Sequence, residues 1–249
     1  MKSDLIKTNS GILNMVCLLL AVTTVPFFAV AGEPKSSGFM DQKNMTLRGD
    51  LPFEMSWIKP GVNWKKYQKV VIAPVDTRHL MTSNFWQEFG RTGEIEKDIA
   101  KLAKYTRASF ERAFFEDPQK HFRVTFSSQP DPGVLRVEMA LTELTPNKVL
   151  LKAAGFVPLY GLAATALNQT NPSRVAIEIR LKDGRTGEIV AKFADKKNEP
   201  FTLVNVDQLT WYGFAEKRVD EWSGKLVETL NRRPGQVVEK SSNFDLSPV

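Results

Sequence analysis

Arg174-Val175-Ala176-Ile177-Glu178-Ile179-Arg180-Leu181-Lys182, then Asp183-Gly184-Arg185-Thr186-Gly187, then Ile189, Ala191 and Phe193, is the stretch whose reading decides the fold. In an extended chain successive side chains point to opposite faces, so Val175, Ile177, Ile179 and Leu181 share one face while Arg174, Glu178, Arg180 and Lys182 share the other. The loop between the two alternating runs contains two glycines and closes them into an antiparallel hairpin. A hairpin with one wholly apolar face needs a cover, and helical patterns on either side of it supply one.

Upstream, Ile95, Ile99, Leu102, Phe110, Ala113 and Phe114 recur at helical spacing after Thr92, a suitable N-cap, and Asp117-Pro118 stops the pattern. Acidic Glu94, Glu96 and Asp98 near its start, with Lys97, Lys101, Lys104 and Arg107 further along, suit the helix dipole and read as a solvated face. Downstream, Trp211, Ala215, Val219, Trp222, Leu226 and Leu230 stand 4, 4, 3, 4 and 4 residues apart, one apolar stripe of a second helix ended by Arg232-Arg233-Pro234-Gly235.

Further out, Lys69-Val70-Val71-Ile72-Ala73-Pro74-Val75 is a continuous apolar run, expected as a central strand buried on both faces. Phe122, Val124 and Phe126 alternate with Arg123 and Thr125, and Leu135, Val137, Met139 and Leu141 alternate after the turn at Gln129-Pro130-Asp131-Pro132-Gly133, so these two segments are expected as a first antiparallel pair. The fold class is therefore α/β (α+β): one mixed, mostly antiparallel sheet of about five strands, packed by two long helices, with an apolar insert between hairpins. The expected organisation is a signal peptide over residues 1–31, an extended arm or linker over 32–61 pinned by Phe39, Phe53 and Trp57, one α/β domain over 62–233, and a disordered tail over 234–249.

The leader carries Lys2 and Lys7, an apolar stretch from Ile12 to Val30, and Ala29-Val30-Ala31 ahead of polar residues. That is the charge, apolar and small-residue order of a secretory signal, with cleavage expected after Ala31; Pro26 argues against an uncleaved anchor. Cys17, the only cysteine of the 249 residues, lies inside the apolar run and not at a lipoprotein cleavage site, so the exported chain is expected to carry no thiol. This excludes disulfides, cysteine catalysis and thiolate metal sites. The formal charge of +6, reduced by one when the leader is lost, is too small without a basic patch to imply nucleic acid.

Val149 to Leu167 departs from its surroundings in being almost wholly apolar, but Lys152, Gly155, Pro158 and Gly161 would each weaken a membrane-spanning helix. Three readings stand: a buried loop with a short helix from Leu159 to Leu167, a protein contact patch, or a pair of membrane-touching strands turning at Pro158, which requires an oligomer. The contact residues in the last two are Phe156, Val157, Leu159, Tyr160 and Leu162.

No phosphate loop, no G-x-S-x-G elbow and no H-E-x-x-H occurs, and His79 and His121 share no ligand spacing, so no cofactor and no metal are expected. The best chemical constellation is Asp76-Thr77-Arg78-His79, at the C-terminal end of a predicted strand, where open α/β sheets often bind ligands. Asp76, Arg78 and His79 are the candidate ligand-binding residues, for an anionic group; the plainer alternative is a turn whose Asp caps the backbone. Lys65, Lys66 and Lys69, like Lys196 and Lys197, read as solvated charges beside strands.

Taken together, Ser37-Gly38-Phe39-Met40, Trp64 through Val75, Leu141-Thr142, Ile177 through Asp183 with Thr186-Gly187-Glu188, Phe193-Ala194-Asp195 and the helix through Trp222 resemble a domain-of-unknown-function family of Gram-negative envelope lipoproteins. The resemblance runs over residues 37 to 231. It implies an exported, outer-membrane-associated α/β domain, similar in fold to other small envelope lipoproteins, with no catalytic residues to carry over. The lipoprotein cysteine is missing, which makes a soluble periplasmic form the default. The expected function is non-catalytic binding of an envelope protein or of further copies of the chain, with peripheral membrane contact as a further use of its surface. The alternative is an envelope hydrolase or small-anion-binding protein working through Asp76, Arg78 and His79.

Overall fold

The computed structural model describes residues 37–82, 85–86, 93–127, 129–146, 172–199 and 210–240. The expected signal peptide and the insert with Phe156, Val157, Leu159, Tyr160 and Leu162 lie outside these residues. Six strands, β1 (Met55–Ile58), β2 (Lys69–Ile72), β3 (Arg123–Val124), β4 (Val134–Thr145), β5 (Ser173–Asp183) and β6 (Ile189–Glu199), form one sheet in the order β1-β6-β5-β4-β2-β3. Two helices, α1 (Gly93–Glu116) and α2 (Gly213–Asn231), accompany it. The sheet is mixed: β4, β5 and β6 form an antiparallel meander, to which β1 adds antiparallel beside β6, while β2 runs parallel to both β4 and β3. The expected fold class holds, with β1 contributed by the stretch read as an arm.

The predicted hairpin forms, with Ile179 opposite Phe193, Leu181 opposite Ala191 and, after a register shift, Lys182 opposite Ile189. Gly184 in its turn has a steric reason: a Cβ there would stand 2.8 Å from the Val134 carbonyl oxygen and 2.9 Å from the Val134 Cβ. Val175, Ile177, Ile179, Leu181 and Phe193 join Val70, Ile72, Leu135, Val137, Met139 and Leu141 in one core with Ile95, Leu102, Phe110 and Phe114 of α1 and Ala215, Val219, Trp222 and Leu226 of α2. The predicted apolar stripes face the core, all of their residues buried except Ala113 and Leu230, which are partly so. The helices run side by side in the same direction, since Asp98 accepts from the Trp211 indole (2.9 Å), Tyr105 donates to Asp220 (2.7 Å) and Asn231 donates to Asp117 (2.9 Å).

Two expectations change. The run from Lys69 is a strand only to Ile72 and is fifth in the order, not central; it looks central because Val70, Val71 and Ile72 are all buried. The segments around Val124 and Leu135 do not pair with each other. β2 lies between them, Lys69 standing opposite both Arg123 and Val134, so β3 is a two-residue edge strand and Phe126 is exposed. Alternation identifies strands but says nothing of which neighbour they choose.

Residues 37–58 wrap the sheet. The chain crosses the charged face of β5 and β6 and turns at Asn44, whose φ is 66°. It then bridges Thr46 to Ser56 outside β1 and puts Leu51 and Phe53 into the helix-side core. This bridge covers an edge that would otherwise offer unpaired backbone groups. Of the segment expected as a tail, Val238 is buried and its N–H donates to the Asp50 carbonyl (3.1 Å).

Candidate functional site

The Asp76-Thr77-Arg78-His79 cluster is built by the way β2 ends. After Ile72 the chain leaves the ladder at Pro74, which has no N–H to donate, and returns at Asp76. There the Asp76 N–H donates to the Met139 carbonyl (2.9 Å) and its own carbonyl accepts from Leu141 (3.0 Å). Asp76 is thus held at the C-terminal end of the parallel pair, where the sequence placed it. Its Oδ1 accepts from the Arg78 backbone N–H (2.9 Å), the turn that an Asp favours.

The Arg78 guanidinium then closes on the same carboxylate, Nε at 3.0 Å from Oδ1 and Nη2 at 2.6 Å from Oδ2. This pairing, together with the backbone hydrogen bond and despite partial burial, holds the Asp76 carboxyl down to about 2. His79 stands on the other side. Its Nδ1–H donates to the Ser37 carbonyl (2.8 Å), and its Nε2 lies 3.6 Å from Asp76 Oδ2. Phe39 meets the imidazole edge to face, ring centroids 6.0 Å apart. Arg78 is mostly in water, whereas the side chains of His79 and Asp76 are only 18% and 16% exposed.

The three residues singled out in the sequence therefore meet, but as a closed set. Asp76 is committed to Arg78, and the proton of His79 is committed to a backbone oxygen. Ser37, the nearest hydroxyl on this strap, donates to Glu178 (2.8 Å) and is not aimed at the imidazole. Geometry of this kind orders a turn and pins the strap; it shows no nucleophile beside a base. Sequence reasoning missed Ser37 and Phe39 as partners of His79, since they lie some forty residues upstream, although Ser37-Gly38-Phe39 was already a motif of the family resemblance.

The strap continues the same theme across the charged face. Glu178 also accepts from Gln42 (3.0 Å), Arg180 donates to the Phe39 carbonyl (2.8 Å) with its guanidinium 4.2 Å from that ring, and Lys192 donates to the carbonyls of Asp41 (2.6 Å) and Lys43 (3.0 Å). Glu138 takes charged hydrogen bonds from Arg180 (2.6 Å), Lys182 (2.9 Å) and Arg136 (3.0 Å). Burial alone would raise its carboxyl, but these three cations outweigh burial and hold it below the usual range. Among the described residues no group of acidic, histidine or cysteine side chains could hold a metal ion, and no helix is long and apolar enough to cross a membrane.

No curated protein matches the chain. Among solved structures, the PelC dodecamer from Paraburkholderia phytofirmans aligns at 8% identity over 69% of this chain and 94% of that one, with a TM-score of 0.37. Protein XCC0632 from Xanthomonas campestris, of the DUF330 family, aligns at 13% identity over 70% and 91%, with a TM-score of 0.40. Protein CT253 from Chlamydia trachomatis aligns at 9% identity over 66% and 98%, with a TM-score of 0.38. At these scores nothing about function passes from those proteins to this one. The sequence itself is decisive at the level of family: the chain belongs to DUF3313, a family of proteins of unknown function, whose model matches residues 35–226.

Proposed function

We propose that the chain is an exported protein of the bacterial envelope, periplasmic or outer-membrane-associated after cleavage near Ala31, that acts without catalysis by binding an envelope protein or further copies of itself. One observation carries the binding half of this reading. Thr145 stands opposite Arg174 in the β4–β5 ladder, so the apolar insert from Val149 to Leu167 leaves and re-enters the sheet at a single place. Asp76, bridged to β4 at Ala140, lies toward the same end. A long apolar excursion between two paired strands suits a contact surface. The hydrolase reading is disfavoured by the engagement of Asp76 with Arg78, which leaves no free carboxylate to orient His79 as a base.

The test has two arms. Periplasmic extraction of cells producing the full chain should yield a protein beginning at Gly32, and light scattering or in-cell crosslinking should show a complex that disappears when residues 149–167 are replaced by a short Gly-Ser linker. Recovery in the cytoplasm with Met1 intact overturns the export half. A monodisperse monomer that crosslinks to nothing in the envelope overturns the binding half.

A further inference from the structure

At the end of the sheet away from the insert roots, the chain leaves β1 at Ile58, passes through the 3-10 turn Trp64–Lys66, and meets the C-terminal end of α2. Between them is a cleft of about 500 Å³, within the range that takes a small organic ligand. Ile58, Val62, Trp64 and Leu230, hydrophobic residues that the core covers only in part, converge on it, and fully buried Phe193 lies among its walls. Its polar rim is Lys65, His121, Arg232 and Arg233 with Asn63 and Asn231, and no carboxylate lines it.

The charges decide the ligand. Arg232 is paired with Asp50 (2.6 Å), a carboxylate that it shares with Arg48 (2.6 Å), so its guanidinium is engaged and the trio keeps a net positive charge. Neither the Lys65 ammonium nor the Arg233 guanidinium has a described carboxylate within ion-pair distance. The C-terminal end of α2 contributes only about half a negative charge. Two full positive charges therefore exceed the local negative field. An apolar recess with a cationic mouth is complementary to a molecule with one hydrophobic body and one anionic head.

We infer that this cleft binds a small anionic amphiphile, an acyl or aryl group bearing a carboxylate or phosphate, with the head between Lys65 and Arg233 and the body against Trp64, Val62 and Leu230. The inference stands apart from the proposed partner surface, whose flanking residues Thr145 and Arg174 lie at the opposite end of the sheet. Both cationic residues are exposed, so their substitution tests binding without removing core packing.

The test uses the full chain and follows displacement of the fluorescent anion 1-anilinonaphthalene-8-sulfonate by dodecanoate, dodecyl phosphate, dodecanol and inorganic phosphate. Saturable displacement by either anionic amphiphile, at least tenfold stronger than by dodecanol or by phosphate, is expected. It should weaken by roughly tenfold or more in Lys65→Glu/Arg233→Glu, and stay unchanged in Lys97→Glu/Lys104→Glu on the exposed face of α1. Three outcomes overturn the inference: equal binding by the Lys65→Glu/Arg233→Glu protein with an unaltered circular dichroism spectrum, displacement by inorganic phosphate as strong as by dodecyl phosphate, or no saturable displacement by either anionic amphiphile. Preference between dodecanoate and dodecyl phosphate identifies the head group.

Discussion

Ile177 and Glu178 are neighbours in one strand and both almost wholly out of water, yet they lie under different covers. Ile177 points into the apolar layer beneath the two helices; Glu178 points into the opposite face, under residues 37–43 of the strap. The helix side excludes water mainly with hydrocarbon, its buried carboxylate Asp195 being held by the Trp222 indole (2.7 Å) and Lys197 (3.4 Å). The strap side buries charge, and each charge there has to be matched: Glu178 by Ser37 and Gln42, Lys192 by two backbone carbonyls, Glu138 by three cations. Burying a matched charge roughly balances its desolvation, whereas leaving one unmatched is expensive. The two faces should therefore fail differently when a single side chain is changed.

The largest difference is expected at Ile177. A second carboxylate under the helices in Ile177→Glu, directly opposite buried Asp195, should abolish the cooperative thermal transition, read by circular dichroism, because Asp195 already engages the Trp222 indole and Lys197. A folded Ile177→Glu protein would mean that the helix layer is loose.

On the strap side, Glu138→Ala leaves Arg136, Arg180 and Lys182 facing one another and should cost about 2–3 kcal/mol in denaturant unfolding at neutral pH. Because the Glu138 carboxyl is held below its ordinary value in the folded state, its contribution is complete above the unfolded value and fades as pH falls through the folded one. The gap between wild type and Glu138→Ala should accordingly narrow below about pH 4. A gap independent of pH would show that lost packing, and not charge, is responsible.

The smallest effect is expected for Glu178→Ala. It removes the acceptor of Ser37 and Gln42, should cost about 1–2 kcal/mol, and should speed proteolytic cleavage within residues 37–45 more than it lowers the melting temperature. Equal losses in both measurements would make the strap part of the global unfolding unit.

The helix side was legible in the sequence because its signals are local and periodic. Trp211 to Leu230 and Ile95 to Phe114 repeat at helical spacing over several turns, and Val175 to Leu181 alternates without interruption. The strap side was not. Residues 37–58 have no period, since each makes a different contact, and β1 is four residues long. The exchange of neighbours between β3 and β4 was hidden for the same reason: pairing depends on β2, which lies more than fifty residues upstream of both. Asp76, Arg78 and His79 were found because a turn brings neighbours in sequence together; the cleft was not, because Trp64, His121 and Arg233 come from three distant segments.

The pairing of Thr145 with Arg174 has a consequence for how this fold can change. Whatever lies between them is, topologically, the loop of a closed hairpin, and the entropy of closing such a loop grows only with the logarithm of its length, about 0.6 kcal/mol for each doubling. The scaffold is therefore nearly indifferent to how long that segment is. Sequence can be added, shortened or exchanged there while the ladder on either side keeps its register, which makes this position a socket into which different recognition elements can be fitted without redesigning the sheet.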